Sequence, residues 1–108
     1  MKRLGVGLSD QVICYDTSAW QFFGFRAAWM FNAMGHNNVQ VLEGGLPQWL
    51  KENRQIESWE NVTEADYSYK LDSDKIKNLN QIKDFAGGKR PYQLLDTRSL
   101  GDYQAGHI

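Results

Sequence analysis

The sequence predicts an α/β fold with a small parallel sheet. Two observations carry that expectation. Short β-rich runs stand at 12–15 and 39–42, and each is followed within a few residues by a helical pattern. A strand–helix–strand–helix order with short connections predicts parallel strands joined by a right-handed crossover.

The first strand, "VICY" at 12–15, lies between Asp10 and Asp16. It is too short and too β-rich for a helix. Residues 17–21 read as loop. "FFGFRAAWMFNAM" at 22–34 reads as a helix, entered at Phe22 or only after Gly24, with Gly35 just past its end. Phe25, Ala28, Trp29, Phe31 and Met34 go most of the way round it, so burial on more than one side is expected. "NNVQVLEGG" supplies the second strand and a glycine turn. Pro47 then suits the first turn of a short helix, "LPQWLKEN". Two strands cannot cover both sheet faces or protect their edges, so residues 1–53 read as half of an α/β domain.

The composition changes after Asn53. Residues 54–73 are polar with scattered aromatics, Trp59, Tyr67 and Tyr69, and read as a linker draped over a surface. Ile76, Leu79 and Ile82 then give helical spacing over 74–86, with Ser73 or Asp74 as the expected cap. "GGKRP" breaks that helix, "YQLLD" at 92–96 reads as a strand, and loop or short helix follows from Thr97. Residues 74–108 thus read as the start of a second, truncated α/β unit.

Bulk properties exclude several function classes. The chain has 108 residues, 42% of them hydrophobic, and a net charge of −1 from 12 basic and 13 acidic side chains. With no block of one sign, no nucleic-acid or membrane-surface footprint is expected. No apolar run reaches the roughly 18 residues of a membrane span. "MKRLGVGLSD" has no apolar segment behind its basic residues, so no signal peptide is expected. A single cysteine, Cys14, rules out an internal disulfide and fits a reducing compartment. "NVT" at 61–63 is a chance-level glycosylation sequon. "GVG" at 5–7 has neither the third glycine nor the preceding strand of a dinucleotide loop.

Three segments, "VICYD", "RAAWMFNAMGHNNVQVLEGGLPQWL" and "LLDTRSLGDYQAGHI", resemble the rhodanese, or thiosulfate/3-mercaptopyruvate sulfurtransferase, family. The resemblance is to its tandem members. It implies that 1–53 is the C-terminal half of a non-catalytic rhodanese-like domain, 54–73 the inter-domain linker, and 74–108 the start of a second such domain, each domain incomplete. It also implies an intracellular setting, cytoplasm or mitochondrion, and no cofactor. The implied partners are the remainder of a tandem protein or a completing protein, with a small sulfur donor as the parent's substrate.

The family's chemistry needs one thiolate in a loop lined by backbone amides, with a helix N-terminus behind it. The residue at that position here is Asp16, as is common in the first domain of tandem members. A carboxylate cannot take up sulfane sulfur, so Asp16 is expected to satisfy the loop amides instead. Cys14 lies two residues earlier, about 6.5 Å deeper along the strand, and reads as a small buried hydrophobe. The resemblance therefore implies no catalytic residue in this chain and a parent enzyme whose cysteine loop lies elsewhere. Alone, the chain is expected to be inactive and marginally stable. A non-enzymatic rhodanese-like subunit that binds a partner is the alternative.

Asp96 and Arg98 of "DTR" are substrate-adjacent by the same resemblance. An Asp96–Arg98 contact that only holds the fold is the competing reading. Tandem enzymes carry a second arginine where this chain has Asp102. His36 is expected to bond within a helix-to-strand turn, and His107 to bond a backbone group. Trp29 and Trp49 are expected in the core, and Arg26 is expected to pair locally with Asp16. No metal site is expected.

Overall fold

The computed structural model describes residues 1–18, 20–57, 62–88 and 93–107. Trp59, Asn61 of the sequon, residues 89–91 of the helix-breaking run, Tyr92 and Ile108 lie outside the described residues. The chain divides into two compact units, Met1–Ser73 and Asp74–Ile108.

The first unit is mixed α/β. Strand β1 (Val12–Cys14) pairs in parallel with β2 (Val39–Val41), in the register Val12–Val39, Ile13–Gln40, Cys14–Val41. Helix α1 (Phe22–Ala33) connects them, and α2 (Gly45–Lys51) follows β2. The end of α1 is a Schellman motif. Gly35 takes a positive φ of 84°, its amide bonds Asn32 O at 3.1 Å, and the His36 amide bonds Phe31 O at 3.0 Å. Those bonds satisfy helix-end carbonyls and turn the chain sharply into β2.

Where α1 crosses the sheet its contact residue is Gly24. A Cβ there would meet Tyr15 Cα at 3.5 Å and Val41 Cγ1 at 3.6 Å, so the missing side chain allows close approach. Ala33, half a turn round at the other end, is buried beside the point where the Lys70 and Asp72 amides bond Met34 O and Ala33 O. Between these ends the helix is open. Phe22, Phe23, Phe25, Trp29 and Met30 are all exposed. Burial on two sides is thus limited to the small residues Gly24 and Ala33; of the expected set Ala28, Phe31 and Met34 are half-buried while Phe25 and Trp29 are exposed, so Trp29 is not a core residue, and Trp49 is half-buried. A two-stranded sheet is one narrow layer, and it covers one stripe of a helix.

Residues 62–72 pack on this first unit. Tyr67 is buried, and the Ala65 amide bonds Lys2 O at 3.1 Å. With Cys14, Ala33 and His36, Tyr67 makes up the deepest part of the unit.

In the second unit, α3 (Leu79–Ala86) starts later than its apolar spacing suggested. Asn78 caps it: its side chain accepts from the Gln81 amide at 3.0 Å while Gln81 accepts from the Asn78 amide at 2.9 Å. This reciprocal box replaces the expected Ser73 or Asp74 cap and fixes the first turn. Helix α4 (Leu100–Ala105) is capped by Ser99, which accepts from the Asp102 amide at 3.2 Å. Residues 93–96 form no strand, contrary to the 92–96 expectation. A ladder needs a neighbour, and this unit has no strand among its described residues for them to pair with.

Candidate functional site

The candidate site is the loop between β1 and α1. The strand delivers Asp16 to its exit, and the chain then curls into α1 through Gln21, whose φ is 53°. The first amides of a helix have no partner within it and point outward with partial positive charge. Here they converge on one carboxylate. Asp16 Oδ2 accepts from Phe23 N and Gly24 N, each at 3.0 Å, and Oδ1 accepts from Ser18 N and Ser18 Oγ, each at 2.7 Å. The Ser18 hydroxyl, then the Gly24, Ser18 and Phe23 amides, hold the Asp16 carboxyl below its ordinary range, against an opposing effect of desolvation.

The far wall of the loop comes from the segment after β2. Leu46 N donates to Asp16 O at 3.1 Å. Gly45, at φ 54°, lies so close that a Cβ would stand 2.9 Å from the same oxygen. The Gln21 carboxamide bridges the two loops when its nitrogen faces Leu42 O (2.6 Å) and its oxygen faces Gly44 N (2.9 Å). Beside this bridge opens a cavity of about 780 Å³, lined by Glu43, Gln48, Glu52, Trp49 and Arg54 among others. Arg54 lies over the Trp49 ring, 5.2 Å from its centroid, and pairs with Glu52 at 2.5 Å.

Cys14 lies one register step below the loop. It is 8% exposed, and desolvation pushes its thiol up from its ordinary value. A neutral, buried thiol is a poor nucleophile, as expected of a cysteine within the strand. Arg26 does not reach Asp16: its guanidinium lies over the Trp29 ring at 5.2 Å, and among the described residues no Asp16–Arg26 ion pair forms. With four donors already on Asp16, the carboxylate needs no cation.

In the second unit, Asp96 and Arg98 bind each other. Arg98 Nε lies 3.0 Å from both Asp96 oxygens, and Nη2 lies 2.6 Å from Oδ2. The Arg98 amide donates to Oδ1 at 3.0 Å, and Nη2 also donates to Gly106 O at 2.7 Å. The Arg98 guanidinium and amide together lower the Asp96 carboxyl to about 2, and Asp96 raises Arg98 in return. Asp102 accepts from Ser99 Oγ at 2.7 Å and serves the α4 cap. His107 stacks on Tyr103 at 4.2 Å and bonds its carbonyl at 3.1 Å through Nδ1, a backbone partner as expected.

The His36 amide bonds within the helix-to-strand turn as expected, at 3.0 Å from Phe31 O, while its ring reaches outside that turn: Nε2 bonds Asp10 O at 3.0 Å, a partner 26 residues away. Ser18, Gln21 and Gly45 are site residues that the sequence reading missed. Asp-Thr-Ser at 16–18 carries a local signal for Ser18, an aspartate whose side chain can bond two residues on. Gln21 and Gly45 carry no such signal, because their partners come from another loop. Among the described residues no group of three or more His, Cys, Asp or Glu could hold a metal ion.

Residues 2–52 match the family model described as Rhodanese-like domain. Thiosulfate sulfurtransferase of Gallus gallus is 36% identical over 104 residues, covering 94% of this chain and 36% of that protein. 3-Mercaptopyruvate sulfurtransferase of Homo sapiens is 36% identical over 104 residues, covering 94% and 35%. Thiosulfate sulfurtransferase of Bos taurus is 34% identical over 102 residues, covering 93% and 34%. The chain thus spans about a third of the length of the curated relatives it matches.

Proposed function

Residues 2–52 place this chain in the rhodanese-like domain family, as a relative of the sulfurtransferases, and from that premise we propose that it is a non-catalytic portion of a tandem thiosulfate or 3-mercaptopyruvate sulfurtransferase, inactive alone. In such an enzyme a cysteine thiolate attacks the outer sulfur of the donor. The donor's bond to that sulfur breaks and its electron pair leaves with sulfite or with the enolate of pyruvate, which takes up a proton; the cysteine holds a persulfide that passes its sulfur to cyanide or a thiol. In this reading the cysteine is supplied by a segment other than these 108 residues, and Asp96 and Arg98 belong to the neighbourhood of its loop.

One observation carries the reading. The helix-end amides that would stabilise a thiolate are occupied by the Asp16 carboxylate, which accepts four hydrogen bonds. A carboxylate forms no persulfide, so an intact loop built on Asp16 relays nothing. The one thiol of the chain is buried and protonated below it. The test is to incubate the purified chain with thiosulfate or 3-mercaptopyruvate, measure its intact mass, and then add cyanide. No added sulfur and no thiocyanate above the protein-free blank are expected. Sulfur on Cys14, with thiocyanate release that disappears in Cys14→Ser, would overturn the reading.

A second reading, a non-enzymatic subunit that binds a protein partner, is favoured by the uncovered outer face of β1 and its exit, where Ile13 is 54% and Tyr15 57% exposed. The two readings part when the whole reading frame containing these residues is expressed. Thiocyanate release by that product supports the first; a silent product supports the second.

A further inference from the structure

We propose that the outward face of α1 is an interface for a second copy of this chain, and that the 108-residue protein associates through it as a two-fold dimer. This inference does not rest on the sulfurtransferase reading.

Phe22, Phe25, Arg26, Trp29, Met30 and Ala33 recur at i, i+3, i+4, i+7, i+8 and i+11 along α1. That spacing sets them in one stripe down the helix, the pattern of a face that packs against something. The stripe does not meet the sheet, which α1 approaches through Gly24. Its last residue, Ala33, is buried where the Asp72 amide bonds the Ala33 carbonyl at 2.8 Å. The turns before it are open: Phe22 is 70%, Phe25 60%, and Trp29 and Met30 each 43% exposed. Trp20 stacks on Phe22 at 6.4 Å and 8°, which carries the patch past the start of the helix. Residues 20–34 hold no Asp, Glu or Lys, and their one charge is Arg26. Aromatic rings, Met and Arg with few acids or lysines make up the cores of protein interfaces, whereas a solvated helix face carries charged side chains.

Area and charge point to a copy as the occupant. An aromatic side chain gives up about 150–250 Å² when buried, so at these exposures the stripe with Phe23 and Trp20 offers on the order of 700 Å², close to the roughly 800 Å² that each partner contributes to a standard interface. The net charge of −1 sets up little repulsion between copies. Arg26 does not demand a carboxylate from its partner. Its guanidinium already lies over the Trp29 ring at 5.2 Å, and the face of an aromatic ring attracts such a cation. A copy brings the same rings, so the surface complements itself without a charge that it lacks. A self-complementary patch closes into a two-fold dimer and leaves no open end for further growth.

Sedimentation equilibrium tests this on the 108-residue chain, from about 1 to 100 µM at pH 7.5, the range in which the weaker interfaces of this size bind. The mass should rise from the monomer's 12.4 kDa and level off at twice that value. Phe25→Glu and Trp29→Glu place a carboxylate in the stripe, and each should raise the dissociation constant at least tenfold. Leu79→Glu, at an exposed apolar position of α3 outside the stripe, should leave it unchanged. A monomer throughout, growth past the dimer, stripe variants that associate as the wild type does, or equal weakening by Leu79→Glu overturns the proposal. Should the stripe variants not fold, hydroxyl-radical oxidation of the wild-type chain still decides. Met30 and Met1 are equally exposed at 43%. Between the lowest and highest concentrations, oxidation of Met30 should fall at least threefold while that of Met1 stays constant. Parallel behaviour of the two methionines overturns the proposal.

Discussion

The Asp16 carboxylate and the Gly24 amide meet at 3.0 Å across eight residues of chain, joining the exit of β1 to the first turn of α1. The same glycine lets α1 lie close against Tyr15 and Val41. One residue thus serves two demands: its backbone holds the anion and its missing side chain sets the helix on the sheet.

Asp16→Asn is expected to loosen this junction, because one carboxylate oxygen becomes a donor facing other donors. The folded state holds the Asp16 carboxyl below its ordinary value. Its contribution is therefore complete above the ordinary aspartate range, near about 3.9, and is lost as pH falls through the folded value. Urea midpoints should show the variant less stable at pH 7 and 5, with the gap narrowing at pH 3. An equal gap at all three would show that the amides do not hold the charge.

Cys14 is expected to resist modification. Burial raises its thiol and covers all but 8% of its surface. Reaction with a disulfide reagent at pH 7.5 should be at least tenfold slower in buffer than in urea. Equal rates would mean that the strand does not bury the sulfur.

Gly45→Ala should distort the loop from its far side. The residue sits at φ 54°, where a side chain costs about 1–2 kcal/mol, and the new Cβ would be 2.9 Å from Asp16 O. A lower thermal midpoint is expected, together with faster exchange of the Leu46 amide, which bonds that oxygen. Retention of both values would show that the loop opens freely.

Arg98→Lys should free Asp96. The guanidinium forks both carboxylate oxygens, which an ammonium cannot do in the same way. The Asp96 carboxyl, held at about 2 in the folded chain, should rise toward the ordinary value of about 3.9 in a carbon-detected NMR titration. The wild-type pair contributes fully above that ordinary value, and its contribution disappears as pH approaches 2. An unmoved Asp96 would assign the shift to other groups.

Much of the site was legible in order but not in geometry. Asp16 at a strand exit before a helix is a local pattern, and so is Gly35 at the helix end. The Asn78–Gln81 box was equally local, yet the apolar spacing beginning at Ile76 drew the predicted helix start too early. Burial was the less legible property. Phe25 and Trp29 have the composition of core residues, but exposure depends on which layers stand opposite them, and here none does. The 92–96 run has strand composition, and a strand is defined by a partner that the second unit does not offer among its described residues.

By itself the sequence determined the α/β class, the order of the two strands and two α-helices in the first unit, the cysteine inside a strand and the acid at the loop, because each depends on neighbours within a turn or a strand's length; the short 3-10 turn at Lys2–Leu4 was not foreseen. Only the tertiary structure decided that two amides and a serine close on Asp16, that Gly45 presses on it from a second loop, and that His36 joins Asp10 and Tyr67 across the unit. Those contacts depend on backbone packing between segments far apart in the chain, and no local periodicity records it.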